Sequence, residues 1–430
     1  MNCNYSCNSP EHTVARRTFL GGMIAGAAGA SMINVPAFAL PPIAKKMASQ
    51  QKNMLLIWLA GGVSQFETWD PKPATRTGGP FRAIPSSVPG THVSELIPYT
   101  AKQMHRLSLI RSIDTQTTDH GLGAYEMRKG HRKQPGREYP ELGAVCAKGL
   151  DSPDRALPGF IRVTGGNGGG SGNDSAYLGP RYASLSVGAG KPPIYSELPK
   201  GIEADAYQRR QLLRSQLGTN FAQKRRTAST DAFTHSFDQA AALMERRAIF
   251  DSSREPEKLK EAYGHHQFGR HCMMARRLLE NGASFVEVTH SNYDTHNENF
   301  VFHLEQMGEF DKTFATLIDD MAQRGMLENT FVLVMSEFGR TPKINRKYGR
   351  DHWGKSWSVA VAGGGVHAGA IIGKTNETGE EVADRPVDHG DLFHTFLRAV
   401  GIDSKEDFII AGKPVPMADP AKAAIEELLI

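Results

Sequence analysis

Carboxylates and imidazoles follow two short apolar segments in the second half of the sequence, 284–289 and 331–335. Side chains of these two types are the usual protein ligands of zinc and related divalent ions. The sequence therefore predicts a metal site to which both parts of the chain contribute. The candidate ligands after the two segments are Asp294, His296, Glu337, Asp351 and His352.

The elements that must position these ligands are two strands and a helix. Segments 284–289 and 331–335 have the length and composition of buried strands, and 299–324 between them has a helical pattern. A strand, a helix and a second strand in this order form a crossover whose two strands are parallel. Because parallel strands end at the same edge of a sheet, we expect both sets of candidate ligands to lie together there.

A third group of polar residues follows the apolar segment 54–60. This segment ends at Gly61 and Gly62, and Glu67 comes shortly after them. Two glycines at a strand end allow the backbone to approach a ligand closely, and the acids Glu67 and Asp70 follow at once. A tight turn is the alternative interpretation of the same residues.

His120 lies at the start of a predicted helix that follows the strand candidate 107–113. The free N–H groups of a helix N-terminus attract anions, so His120 could meet an anion or a metal there. Asp119 could instead be a simple cap of that helix.

Composition sets the class of protein. The chain has 430 residues, 40% of them hydrophobic, and a net charge of +4, which is too small to indicate a nucleic-acid partner. We expect one large α/β domain over 40–430, with a charged helical insertion at about 203–283 on one side of the sheet. The glycine-rich stretch 165–172 lacks the Gly-Lys-Ser/Thr ending of a phosphate-binding loop and is interpreted as a surface loop.

The first 39 residues have the pattern of a twin-arginine export signal. Arg16 and Arg17 precede an apolar run over 21–35, and an Ala-x-Ala site ends at Ala39. The run is shorter than the roughly 18 apolar residues that spanning needs, so we predict no permanent membrane span. We expect the twin-arginine translocase as a partner during export and a periplasmic or other extracytoplasmic location.

The cysteines that remain after export are Cys146 and Cys272, because Cys3 and Cys7 belong to the signal. They could form one disulfide in an oxidising periplasm or remain as two buried thiols.

Several stretches of the sequence resemble those of the domain of unknown function 1501 family of exported bacterial proteins. They are AGGVSQFETWDPKP, YDTH, SEFGRTP, GRDHW and AGGGVHAG. That family is related to the alkaline phosphatase and sulfatase superfamily. The resemblance implies a doubly wound, mostly parallel α/β sheet with helices on both faces and a metal centre at the strand ends.

The resemblance also implies roles for individual residues. Asp294 and His296 match the central ligands, His352 the late histidine, and Glu337 and Glu67 stand where aspartates are usual. Asp119 and His120 occupy the place of the nucleophilic Ser, Thr or Cys. His120 is therefore a candidate nucleophile, metal ligand or transition-state donor.

The leading hypothesis from the sequence is a metal-dependent hydrolase of phosphate or sulfate esters. Arg340 and Lys355 are the candidates to hold a small anionic ester substrate, although either could be a surface cation. The metal is zinc, manganese or calcium on ligand type alone. The alternatives are a non-catalytic envelope protein that keeps the fold and a metalloenzyme of another reaction type.

Overall fold

The computed structural model describes residues 52–152, 157–165, 173–188, 192, 196–198, 200–225 and 228–430. The strands of the main sheet are β1 (Asn53–Leu59), β4 (Leu107–Ile113), β5 (Phe160–Thr164), β6 (Leu185–Gly188), β7 (Phe285–His290), β8 (Thr330–Met335), β11 (Trp357–Gly363) and β12 (Ile371–Ile372). Short hairpins are formed by β2 (Ala83–Pro85), β3 (His92–Ser94), β9 (Gly339–Ile344), β10 (Arg350–Trp353), β13 (Lys374–Thr375), β14 (Val382–Asp384), β15 (Asp407–Ile410) and β16 (Lys413–Pro416). The helices are α1 (Pro98–Gln103), α2 (His120–Lys129), α3 (Leu142–Gly149), α4 (Ala204–Arg225), α5 (Ala228–Glu245), α6 (Glu257–Tyr263), α7 (Gln267–Glu280), α8 (Asn299–Gln323) and α9 (His389–Ala399).

The main sheet has eight strands in the order β12-β4-β11-β8-β1-β7-β5-β6. Its neighbours pair in parallel except at β11, which runs antiparallel to both β4 and β8. All seven residues of β1 are buried, as expected for a strand covered on both faces. The prediction of a mostly parallel sheet is confirmed.

The predicted strand-helix-strand crossover corresponds to β7, α8 and β8. Strand β1 lies between β7 and β8 and pairs in parallel with both, so these two strands run in the same direction. Helix α8 carries an apolar face that includes Met307, Phe310 and Phe314, all of them buried. Burial of this face packs the helix against α1, α6 and α7. The parallel direction of β7 and β8 brings the loops after them to one edge.

Helices cover both faces of the sheet, as a doubly wound fold requires. Alternate β1 residues Met54, Leu56 and Trp58 belong to a core with side chains of α3 and α9. Helix α7 packs on β1, β5 and β7, and α8 packs on α7. The side chains of β1 alternate between the two faces, so one buried strand supplies apolar surface to both layers.

The chain divides into two compact units. Helices α4 and α5 belong to the unit at 192–248, whereas α6 and α7 belong to the unit that contains the sheet. Among the residues that the structure describes, none of the helices combines the length and apolar character needed to cross a bilayer. The predicted export signal over 1–39 and the glycine-rich residues 166–172 lie outside the described residues.

Cys146 and Cys272 are buried free thiols. Burial raises the pKa of both Cys146 and Cys272, so neither is a reactive thiolate at neutral pH.

Candidate metal centre

Four side chains converge at the edge where the parallel strands end, and we call them the histidine cluster: His120, Asp294, His296 and His352. His120 is the first residue of α2, whose cap is the side chain of Asp119, which accepts a hydrogen bond from the Leu122 amide at 2.8 Å. The other members come from the loop after β7 and from β10. Asp119 therefore caps the helix while His120 points into the cluster.

The atoms that face one another in the cluster are close together. The Nε2 atoms of His296 and His352 are 2.9 Å apart, and each lies 3.2 Å from Oδ1 of Asp294. The Nε2 atom of His120 lies 3.3 Å from the other oxygen of Asp294. One ligand atom from each of His120, Asp294 and His352 falls within 4.8 Å of the others. A single ion could therefore contact His120, Asp294 and His352, with Nε2 of His296 beside them.

The opposite nitrogen of each histidine is held by an oxygen acceptor. Nδ1 of His120 donates to Oε1 of Glu337 at 2.8 Å, and Nδ1 of His296 donates to Oδ1 of Asp351 at 2.8 Å. Nδ1 of His352 donates to the carbonyl oxygen of Thr118 at 2.7 Å. A carbonyl or an ionised carboxylate can only accept, so these contacts place the hydrogen of each neutral imidazole on Nδ1.

The Nε2 atoms consequently present lone pairs to one another and to the Asp294 carboxylate. The pKa of His352 is lowered, chiefly by burial, which disfavours a proton between the rings. His120 Nε2 is buried and has no hydrogen-bond partner among the described residues. Facing acceptors repel each other unless a cation lies among them, so this donor set fits a divalent metal ion.

Asp294 keeps its charge because of Arg340. Burial alone would raise the pKa of Asp294, but the Arg340 guanidinium, 2.7 Å from Oδ1, and the neighbouring histidines lower it to about 2. The cluster is open to solvent, with 20 to 49% of the His120, Asp294, His296 and His352 side chains exposed. A solute can therefore reach the side chains of the cluster, although His120 Nε2 itself is buried.

The structure places Glu337 and Asp351 behind the histidines rather than at the converging nitrogens. The two oxygens of Glu337 also accept from the Gly61 amide at 2.9 Å and the Ser336 hydroxyl at 3.0 Å. Carboxylates in this position fix ring orientation and tautomer and make the imidazole a stronger ligand.

Glu67 lies apart from the cluster, although it was a candidate ligand. Its side chain has no exposed surface, and Oε1 accepts from Arg350 Nη2 at 3.0 Å and Nε at 3.2 Å. Burial would raise its pKa, but the charges of Arg350 and His303 lower it overall. The buried guanidinium of Arg350 neutralises the charge of Glu67. We call these two residues the Glu67–Arg350 pair.

The two candidate anion-binding cations, Arg340 and Lys355, lie in different surroundings. Arg340 is fully buried and donates to the carbonyls of Gly61, Gly62 and Arg350 as well as to Asp294, so its position does not fit direct contact with a substrate. Lys355 is exposed, with its ammonium 5.5 Å from the Trp353 ring. Only Lys355 retains a freely accessible charge.

The loops that carry the cluster have an unusual backbone. Non-glycine residues with left-handed φ angles flank it on each side: Gln116 at 60°, Asn292 at 76°, Glu298 at 50° and Tyr348 at 54°. Gly61 has a φ of 116°, and a Cβ there would lie 2.4 Å from the Asp294 amide nitrogen. Conformations of this kind persist where the surrounding structure holds them and are common at functional sites.

Sequence reasoning missed two contributors. The Thr118 carbonyl holds His352 through the backbone, which leaves no side-chain signal. Arg350 could have been found, because an acid as deeply buried as Glu67 needs a cation and Arg350 stands in the same short motif as His352.

The profile of a protein family, described as Protein of unknown function (DUF1501), matches residues 51–429. No curated protein matches the sequence significantly. Similar solved structures include the lipoteichoic acid synthase LtaP from Listeria monocytogenes, with 8% identity, a TM-score of 0.38 and coverage of 93% of this chain and 80% of that one. Alkaline phosphatase from the Antarctic bacterium TAB5 shows 12% identity and a TM-score of 0.37, over 82% and 98% of the two chains. The PsFucS1 sulfatase from Pseudoalteromonas sp. shows 15% identity and a TM-score of 0.33, over 84% and 72%.

Proposed function

We propose a function for this chain, which belongs to the family described as Protein of unknown function (DUF1501). The proposed function is metal-dependent hydrolysis of phosphate or sulfate esters. The observation that supports this most is the convergence of three imidazole nitrogens on one carboxylate, with the outer nitrogen of each ring already bonded. The ester class follows from the resemblance of the sequence motifs to the phosphatase and sulfatase superfamily.

The proposed ligands are Nε2 of His120, His296 and His352 and the carboxylate of Asp294. Such a nitrogen-rich set suits zinc better than manganese or calcium, both of which prefer oxygen ligands. A divalent ion held there would supply Lewis acidity toward the anionic oxygens of an ester. Glu337, Asp351 and Thr118 hold the rings, and Arg340 holds Asp294, so the ligands are oriented before a substrate arrives.

We propose water as the attacking group. The Thr117 hydroxyl is buried and donates to Glu126, so it is not available for attack. His120 is committed to Glu337 through Nδ1 and faces Asp294 through Nε2, a position that suits a ligand better than a nucleophile. Thr118 is exposed beside His352, and its hydroxyl is the side chain to test if a covalent intermediate is detected.

The second candidate function is a non-catalytic envelope protein that keeps the metal for stability. The observation that favours it is the burial of the Thr117 hydroxyl, next to the place where related hydrolases carry a nucleophile. Metal binding without turnover of any phosphate or sulfate ester would identify this function.

The deciding experiment is elemental analysis of residues 40–430 beside the His352→Ala variant, followed by assays on aryl phosphates and aryl sulfates. We expect bound metal in the parent protein, much less in His352→Ala, and turnover that follows metal content. His367→Ala, which removes an exposed histidine elsewhere, is the matched control and should keep both properties. Absence of metal from the parent protein would refute the proposal.

Export by the twin-arginine route is a separate proposal, since it depends on residues 1–39 alone. Fusion of this segment to a reporter that is active only after export tests it. The reporter should be exported with Arg16 and Arg17 intact and should stay in the cytoplasm when both are changed to lysine.

A further inference from the structure

A second polar cavity lies at the same edge of the sheet, outside the histidine cluster. It has a volume of about 380 Å³ and is enclosed by the ends of β5 and β7, the first turns of α7 and the middle of α8. Its floor includes the buried side chains of Val163, Phe268, His271 and His290. Exposed residues form its rim, so the cavity opens to solvent. Its volume is at the small end of the range for ligand pockets, which suits a compact group such as one ring.

The lining consists mainly of neutral groups that both donate and accept hydrogen bonds. It includes the amides of Gln267, Asn292 and Gln306 together with three hydroxyl side chains. Glu309 contributes one carboxylate, and none of the residues described as lining the cavity is a lysine or an arginine. Amides and hydroxyls pair well with ligand hydroxyls, whereas a phosphate or sulfate group would meet no cation here.

The buried Nδ1 atom of His271 has no hydrogen-bond partner among the described residues. The His271 side chain is only 5% exposed, and it lines the cavity. Buried polar atoms are nearly always bonded in folded proteins, so an unbonded atom in a residue that lines a cavity marks His271 as a side chain with hydrogen-bonding capacity to spare. A neutral imidazole donates through one nitrogen and accepts through the other, so a small reorientation of the ring would let it bond to a ligand hydroxyl.

His290 is fixed in place, in contrast to His271. The Tyr293 hydroxyl lies 2.7 Å from His290 Nδ1, and Oε2 of Glu309 lies 3.4 Å from Nε2. The Phe268 ring stacks on His290 with centroids 4.4 Å apart. Burial lowers the pKa of His271 and of His290 to about 4, so both rings are uncharged at neutral pH and the cavity carries no positive charge. The cavity thus combines a rigid apolar wall with uncharged hydrogen-bonding groups.

We propose that this cavity, with His271, Gln267 and Gln306 as its hydrogen-bonding groups, is a binding site for an uncharged polyhydroxylated ring, that is, a neutral sugar unit. The proposal stands on the cavity alone and holds whether or not the histidine cluster hydrolyses an ester. If both proposals are correct, the chain recognises carbohydrate at one position and carries out metal-dependent chemistry at the neighbouring one.

The test is binding of labelled protein, residues 40–430, to an array of neutral and acidic mono- and oligosaccharides, followed by calorimetry with the best neutral sugar. We expect binding of at least one neutral sugar and at least tenfold weaker binding by both His271→Leu and Gln306→Ala. His265→Leu, which alters an exposed histidine outside the cavity, is the matched control and should bind as the parent does. Thermal melting and metal content, measured on the same samples, show that the variants are folded.

Three results would overturn the proposal. The first is that no neutral sugar binds. The second is that sugar binding is the same in the parent protein, His271→Leu and Gln306→Ala. The third is that inorganic phosphate, inorganic sulfate or Zn²⁺ is the probe whose binding these two variants abolish, which would make the cavity an ion site. If the parent protein binds a neutral sugar but hydrolyses no phosphate or sulfate ester, that result contradicts the hydrolase proposal and leaves the sugar-site proposal unaffected.

Discussion

The histidine cluster and the Glu67–Arg350 pair are built from similar residue types in neighbouring loops, but their charges are arranged differently. In the pair, a carboxylate and a guanidinium neutralise each other without exposed surface. In the cluster, three imidazole nitrogens and a carboxylate face one another, and two carboxylates and a backbone carbonyl accept from the N–H groups behind them. The comparison shows that acids near strand ends do not by themselves indicate a metal site. A metal site also requires nitrogen or oxygen lone pairs that point to a common position and are not already bonded to a cation of the protein.

The largest effect should come from breaking the pair. Arg350→Met leaves Glu67 buried without a cation and removes donors to the carbonyls of Thr77, Thr341 and Pro342. We expect it to lower the free energy of unfolding by about 3–5 kcal/mol, as measured by urea denaturation. Arg346→Met, an exposed arginine of the same loop, should change it by less than about 0.5 kcal/mol. A similar small change for Arg350→Met would mean that the pair contributes little to stability.

Removing the negative charge of Glu337 or Asp351, which bond the outer nitrogens of His120 and His296, should have the next largest effect, and the quantity it changes is metal affinity. Glu337→Gln and Asp351→Asn keep the shape and an acceptor for the histidine N–H but lose the negative charge. We expect each to weaken metal affinity by about 10- to 100-fold, measured by competition with a chelator of known affinity. Glu305→Gln, on the exposed side of α8, should leave affinity unchanged. Equal affinities in all these variants would contradict the proposed arrangement of inner and outer groups.

The contribution of the Glu67–Arg350 pair to stability should also depend on pH. The pKa of Glu67 in the folded protein lies below its ordinary value of 4.5, so the unfolded chain binds the proton first as the pH falls. The stability that ionised Glu67 contributes is therefore complete above about pH 4.5 and is lost as the pH falls through the folded-state pKa. The stability difference between the parent protein and Glu67→Gln should shrink over that range in urea denaturation at successive pH values. A constant difference would show that Glu67 is not ionised in the folded protein.

The smallest effect is expected from Lys355, the exposed cation beside Trp353. Lys355→Ala should leave the free energy of unfolding within about 0.5 kcal/mol of the parent value. If Lys355 attracts an anionic ester, KM should rise about threefold at low salt with kcat unchanged, and the difference should fade as salt is added. An unchanged KM at every salt concentration would assign Lys355 to the solvated surface.

The sequence was most informative about elements with a strong periodic pattern. Strands β7 and β8 and helix α8 were predictable because their apolar residues recur over long segments, and a crossover of this kind has one favoured geometry. That geometry also brought Asp294 close to His352. The antiparallel direction of β11 was not predictable, since a short and mainly apolar strand has the same residue pattern in either direction.

The sequence could not separate inner from outer residues of the site. Glu337 and Asp351 have the same chemistry as Asp294, and only their positions behind Nδ1 atoms make them supporting groups. The distinction depends on ring orientations set by contacts between distant parts of the chain. Glu67 likewise meets its partner across 283 residues of sequence, a contact that local pattern does not reveal.

The strand order described above has a consequence for synthesis of the protein on the ribosome. Strand β1 ends at Leu59, yet its two sheet partners begin at Phe285 and Thr330, and the partners of β4 begin at Trp357 and Ile371. At about 5–20 residues per second, β1 emerges roughly 10 to 45 s before either neighbour exists. The nascent chain must therefore hold β1 and β4, two strands that are largely buried in the folded sheet, without their partners during synthesis. Exposed strands of this kind favour aggregation or early capture by a chaperone. Premature termination before β11 should yield insoluble product rather than a smaller folded domain.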